Sequence, residues 1–581
     1  MSGGLWGWLS ARAPFGAVSP LGALARLYPW PVDPSDDLRA ALWFLGYDSS
    51  PGRIVRAGYG AGTVVGVLCG FALVFVPSGL RTGGVILGLL LALGTVHVVH
   101  TAPGLWATAR RTSALGAAPD LVARAVLSMR LAPTPERAAA FTARSGDGVL
   151  ADDLARHVRK TRNTARSGLL TFGDAWTDQF PSLRRSLALV TAAGSTPARD
   201  RDRLLDRALA VVLEGTREQM RRFAARIRTP ATALYAFGIL LPIALVALLP
   251  AAGAADVPIT PLSVVLVYNA VLPAGLLVAS AWLLARRPVA FPPPDVTVNH
   301  PDVADRSRSA PLVGTSVGVG GALVSARLFP WWGPPVAAVG LGAGVALWIR
   351  FRPVIGAYGQ IRRVEGGLPD ALALVGRRVA NGRAVETALV YAAEELDDET
   401  GAFLARGVTR QRQLQVGVRE AFLGRHGALE AVPSRRVRGS VALLALAGDE
   451  GRPAGNALLA MGDHLADLQR IESEARHSLD HVCRTLEATG RVFGPLVAGA
   501  TVALADSMSG TELLPGGEQS LTWLGGPVGL YVLFLAVLLP GLSTGLTRGI
   551  DRSLAGYRAG RALVAATVTL LGSYLIVGGL A

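Results

Sequence analysis

Nine apolar stretches, each long enough to cross a bilayer, constrain this chain more than any other feature. About 30 Å of hydrocarbon takes about 20 mainly apolar residues at 1.5 Å of rise each. Such stretches lie near 57–76, 83–102, 231–250, 262–285, 311–329, 333–349, 492–508, 526–546 and 562–580. Composition agrees: 51% of the 581 residues are hydrophobic and mean hydropathy is +0.39. Only 17% are charged, against about 25% in soluble domains. A wholly soluble enzyme and a disordered tail protein are both excluded. The expected fold is an all-α polytopic membrane protein.

Arginine placement predicts the orientation. Segment 103–230 holds 22 Lys/Arg against 12 Asp/Glu, and 350–491 holds 20 against 18. The short loops 286–310 and 547–561 carry Arg286, Arg287, Arg306 and Arg308, then Arg548, Arg552, Arg558 and Arg561. Loops 251–261 and 509–525 hold only Asp256, Glu512 and Glu518. Nine spans with a cytosolic N-terminus and an outside C-terminus satisfy the positive-inside rule at each of these loops. Arg81 and Arg327, in very short outside turns, depart from it. The expected order is a cytosolic segment 1–55 without a cleavable signal pattern, spans 1–2 within 56–102, and a cytosolic domain 103–230. Spans 3–4 within 231–285, a linker 286–310 and spans 5–6 within 311–349 follow. A second cytosolic domain 350–491, spans 7–8 within 492–546, a loop 547–561 and span 9 within 562–581 complete the chain.

The two large polar segments read as copies. At an offset of 250, Pro119-Asp120 matches Pro369-Asp370, Glu136 matches Glu386, Ala138 matches Ala388, and Leu154-Ala155-Arg156 matches Leu404-Ala405-Arg406. With small gaps, Pro181-Ser182 matches Pro433-Ser434 and Pro242 matches Pro495. Both copies run in the same membrane direction, so the repeat is parallel. Helical periodicity predicts bundles: Pro369-Asp370 starts a helix that Asn381-Gly382 ends, and another runs to about Glu395. Near-heptad apolar positions follow at Leu458, Met461, Leu465, Leu468, Ala475, Leu479, Val482 and Leu486, with Glu472 filling the one gap. The first copy has Leu205, Leu209, Val212, Thr216, Met220, Phe223 and Ile227.

Catalytic patterns are missing from the sequence. A phosphate-cradling loop needs glycines where Leu154 and Arg159 precede Lys160-Thr161. His477 and His481, near Asp480 and Cys483, lack a third ligand of fixed spacing and read as a solvated helix face. His97 and His100 read as interfacial. No cofactor, metal or catalytic residue is expected. Gly58, Gly62, Gly66 and Gly70 form a four-residue-spaced seam for close helix contact, repeated by Gly340 and Gly344. Ionisable residues are scarce within the spans, Asp506 being an edge case, which weighs against an ion-coupled transporter or channel, the alternative reading. A lipid enzyme would need an acid/base or metal cluster at the interface. Charge on the polar segments offers either lipid-facing arginines or a docking surface for a charged partner. The candidates are Arg435, Arg436 and Arg438, the acidic run Glu394, Glu395, Asp397 and Asp398, and the cluster Arg156, Arg159 and Lys160.

The stretch Glu365-Gly366-Gly367-Leu368-Pro369-Asp370-Ala371-Leu372-Ala373-Leu374, with Asn381-Gly382 and Ala388-Leu389, resembles the opening of the type II secretion F domain. Two such domains in a nine-span chain are similar to the archaeal platform proteins of type IV pilus and archaellum assembly. The resemblance covers most of 56–550 and is clearer in copy two. Copy one has Ala118 for the leucine and Pro133-Thr134-Pro135 in place of the glycine turn. It implies a non-enzymatic platform in the cytoplasmic membrane that engages a hexameric secretion ATPase and helps pilin subunits leave the bilayer. Membrane lipids and further copies of the chain (a homo-oligomer) are the other implied partners; nucleic acid is not one.

Overall fold

A computed structural model describes residues 20–47, 50–75, 81–146, 148–161, 164, 167–254, 260–287, 309–450, 453–509, 521–549 and 551–580. The described residues are helical or irregular, with no strand among them. Nine helices in this set are long and apolar enough to cross a membrane, consistent with a multi-pass membrane protein. Residues 1–19, Asp256, Glu512, Glu518, Arg162, Arg166 and positions 288–308 of the expected linker lie outside the described residues.

Each polar segment folds into a helical lobe. Lobe one comprises Ala118–Leu131, Pro135–Ser145, Val149–Thr161, Gly168–Ala175, Pro181–Ala193 and the long helix Ala198–Tyr235, here the first rod. Lobe two repeats the order with the last part of Gly333–Ala380, then Val385–Glu395, Glu399–Leu414, Val418–Leu423, Arg435–Glu450 and the second rod, Pro453–Ala488. Four pairs of residues 250 apart share the same burial. Val122 and Leu372, Ala138 and Ala388, Leu154 and Leu404, and Phe172 and Phe422 are buried pair by pair. Burying a side chain of the larger kind contributes roughly 1.5–3 kcal/mol, so these stripes hold each lobe together. The rod leucines Leu458, Leu465, Leu468, Leu479 and Leu486 are all buried, as near-heptad spacing requires of one face.

One sequence expectation is corrected. Pro369 does not start a helix: Gly333–Ala380 runs unbroken through it for 48 residues, about 72 Å. A proline inside a helix leaves the carbonyl four residues back without its partner. Here that carbonyl, on Glu365, accepts a hydrogen bond from Gln469 Nε2 of the second rod at 2.8 Å, so continuing the helix strands no acceptor. The helix ends as expected at Asn381-Gly382. Gly382 takes φ +86°, its N–H bonds Val379 and that of Arg383 bonds Arg378, a Schellman closure that favours glycine.

Prolines shape the spans by the same physics. One turn of π-helix occurs at Ala236–Leu240, Val267–Val271 and Thr489–Phe493, each ending two residues before a proline: Pro242, Pro273 and Pro495. Pro242 deprives the Gly238 carbonyl of its α-helical donor, and Tyr531 Oη of span 8 donates to it instead. The Pro242 carbonyl accepts from Tyr268 Oη of span 4 at 2.5 Å. Spans 3, 4 and 8 are thus pinned together at a kink.

Span 8 is central and span 2 peripheral: 72% of the apolar window is buried in the first and 6% in the second. Span 6 sits between spans 5 and 9 because glycines let backbones touch. A Cβ on Gly318 would lie 2.8 Å from the Ala338 carbonyl, and one on Gly344 3.0 Å from that of Gly560. Near-contact packing of this kind supplies helix association where lipid is as apolar as leucine.

Candidate functional site

Charge, more than any cavity, marks where this fold departs from simple packing. Glu394, Glu395 and Asp397 are exposed at the end of Val385–Glu395. Asp398 instead caps the next helix, its Oδ1 accepting from Thr400 N and Gly401 N, both at 2.9 Å. Arg435 begins the helix Arg435–Glu450, and its side chain is outside those described. Arg438 is exposed, but Arg436 turns inward to Glu472, Nη1 to Oε2 at 3.0 Å. The three neighbours therefore do not form one outward patch. Arg156, Arg159 and Lys160 are exposed on Val149–Thr161, with Arg156 held by Asp153 at 2.8 Å.

Of the glycine seam, Gly58, Gly62 and Gly66 face span 2, while Gly70 faces open space. A Cβ on Gly58 would fall 2.7 Å from His100 Nε2, and one on Gly62 would fall 2.5 Å from Val96. His100 also bonds the Val55 carbonyl at 3.1 Å, which occupies it structurally. His477, Asp480 and His481 line a cleft of about 550 Å³ with Tyr235, Arg484 and Phe493. Cys483 lies elsewhere, buried with Sγ 3.9 Å from the Ser543 carbonyl. Among the described residues no group of three or more His, Cys, Asp or Glu is placed to hold a metal. Asp506 ties spans 7 and 9, accepting from Thr522 Oγ1 at 2.6 Å and Tyr574 Oη at 2.7 Å.

The sequence did not reveal the inward charge network where lobe two meets the spans. Glu472, the one gap in the rod's apolar spacing, is buried and also binds Arg476. Glu365 accepts from Ser434 Oγ at 2.5 Å. Burial opposes charge on Arg436, yet Glu472, Glu365 and Asp120 outweigh it and raise its pKa. Lower on the rod, Glu487 takes Arg558 at 2.6 Å, Arg491 at 3.2 Å and Ser543 Oγ at 2.8 Å. Arg287 is buried with Nε donating to the Leu546 carbonyl at 2.8 Å. Burial, with Arg476 nearby, pulls its guanidinium down to about 10. The gap at Glu472 was the one available signal; partners as far apart in sequence as Arg287 and Leu546 leave no local pattern.

The lobes also touch each other. Arg217 of the first rod grips Glu474 of the second with two bonds, Nη2 to Oε1 at 2.7 Å and Nε to Oε2 at 2.9 Å. Leu127 and Leu213 of lobe one join the core of lobe two. Comparison with known protein families, curated proteins and solved structures finds no match for this chain.

Proposed function

We propose that the chain is a non-enzymatic membrane platform for assembling a type IV pilus-like filament, coupling a cytosolic secretion ATPase to the extraction of pilin from the bilayer. In this reading the two lobes are duplicated cytosolic F domains. Their matching helix order, and the buried residues 250 apart, support the duplication.

One observation carries the mechanical part. Each lobe ends in a rod that passes through a single π turn into a membrane span, at Ala236–Leu240 and Thr489–Phe493, and the two rods are clamped by Arg217 and Glu474. A push on either lobe is delivered along a stiff helix to a span kinked at a defined point. π turns inside α-helices are frequent at functional sites. Span 8, which contacts the first kink through Tyr531, couples the two halves of the membrane region.

A deletion strain tests the class. Loss of surface filaments with pilins retained in the membrane supports the platform; intact filaments with a solute-uptake defect overturn it. The exposed charges are the docking candidates. Reversing Glu394, Glu395 and Asp397 to Lys, or Arg156, Arg159 and Lys160 to Glu, is expected to weaken co-purification with the cognate ATPase at low salt, where surface charge acts most strongly. Unchanged recovery of the ATPase with both variants removes these patches from the docking surface.

A further inference from the structure

We infer that the junction between lobe two and the polar ends of spans 4, 8 and 9 is a binding site for a phosphoryl anion, held by Arg287, Arg362 and Arg548. This goes beyond the platform reading and is independent of it.

Arginines outnumber carboxylates around Glu472. Glu472 is 9% exposed and lies within electrostatic reach of five arginines: Arg287, Arg362, Arg436, Arg476 and Arg548. Arg436 and Arg476 already occupy its two oxygens. Two neighbouring carboxylates are engaged as well, Glu365 by Ser434 Oγ and Glu487 by Arg558 and Arg491, while Asp120 of lobe one acts on Arg436. Arg362 and Arg548 are half-buried and have no ion-pair or hydrogen-bond partner among the described residues. Arg287 uses only Nε, on the Leu546 carbonyl.

Like charges gathered in a partly buried place repel, and water screens them poorly there. An anion entering this junction removes that repulsion and satisfies several N–H donors together. A phosphoryl group suits it: a charge approaching two and three acceptor oxygens match several cationic N–H donors carried on different helices. The number of positive charges matters here and not the choice of arginine over lysine, because the chain holds a single lysine, Lys160. The phosphoryl group has two sources: the headgroup of an acidic phospholipid in the adjoining leaflet, or phosphate from water.

The test is thermal unfolding of the full purified chain with two probes. One is lipid–detergent micelles containing phosphatidylglycerol, with phosphatidylcholine as the reference. The other is inorganic phosphate, with chloride at equal ionic strength as the reference. Ligand binding to the folded state raises the melting temperature saturably. The wild type is expected to show such a rise. Arg362→Gln with Arg548→Gln is expected to need on the order of tenfold or more ligand to reach it. Arg221→Gln with Arg228→Gln, exposed on the first rod, is expected to respond as wild type. If the Gln pair does not yield monodisperse protein, Arg362→Gln and Arg548→Gln are tested singly: each removes one charge, and each midpoint is expected to move the same way by a smaller factor. Saturation by phosphate assigns the site to a soluble ligand; saturation by phosphatidylglycerol alone assigns it to a lipid. No saturable rise with either probe, an unchanged midpoint in the Arg362/Arg548 variants, or an equal loss in the first-rod control overturns the inference.

Discussion

In lobe one the helix descending from span 2 stops at Leu115 and a new one starts at Ala118, whereas in lobe two the helix from span 6 continues to Ala380. Both carry a proline at the equivalent place, Pro119 and Pro369. The difference lies in what the neighbouring rod offers. Gln469 reaches the carbonyl that Pro369 leaves unpaired. In the register that aligns Pro242 with Pro495, the corresponding residue of the first rod is Thr216, whose hydroxyl donates to its own Val212 carbonyl at 2.9 Å. Without an outside donor, the cheaper solution is to break the helix and place the proline in the first turn, where its missing N–H costs nothing. Lobe two is therefore rigidly continuous with span 6, itself wedged against spans 5 and 9, while lobe one meets span 2 through a joint. The two lobes share a helix order but differ in how they join their spans.

The contrast can be broken experimentally. The largest effect is expected from Glu472→Gln, which leaves Arg436 and Arg476 without their counter-charge in a buried place. Removing one partner of a buried ion pair costs about 3–5 kcal/mol. Glu218→Gln in the first rod breaks an exposed pair with Arg222 and is expected to cost no more than about 1 kcal/mol. Urea unfolding of the two variants in detergent compares them directly, and equal losses would show that the network in lobe two is not truly desolvated.

Next in size is Gly344→Leu, which drives a side chain into Gly560 and Val564 of span 9. Overpacking of this kind costs about 1–3 kcal/mol. Gly70→Leu, with open space around it, is the matched control and is expected to be near neutral. Cysteine cross-linking between spans 6 and 9 reads the separation: lower yield in the first variant and no change in the second.

The smallest effect is expected from Gln469→Leu. Losing the donor to the Glu365 carbonyl should cost about 1 kcal/mol and speed amide exchange locally around Pro369. Thr216→Val should leave exchange around Pro119 unaltered. Identical exchange in wild type and Gln469→Leu would mean that Pro369 is tolerated for another reason.

The features legible in the sequence share a property: they are local. The spans follow from apolar runs, and the buried faces of the rods from Leu458, Leu465, Leu468 and Leu479 at helical spacing. The glycines of spans 1 and 6 were visible as a pattern, though spacing alone did not show that Gly70 meets nothing while Gly344 meets a backbone. The docking candidates were read as charge clusters. Folding separated them, because Arg436 found Glu472 and Asp398 found the N–H groups of a helix start. The prolines of spans 3, 4 and 7 were plain to see; that each follows a π turn was not, since the donor for Gly238 comes from Tyr531, far along the chain.

What this sequence determined unaided is that the chain is helical, how many of its helices suit a bilayer, and which face of each rod is apolar. Apolar length and helical period act within a few turns, and burial rewards them whatever the neighbours are. Which charges neutralise one another, where a proline bends a helix or passes through it, and which lobe is continuous with its span were decided only by tertiary structure. A carbonyl accepts from any suitable donor, and a guanidinium donates to any suitable acceptor, within about 3 Å, and nothing in the order of residues states which helix will bring one there.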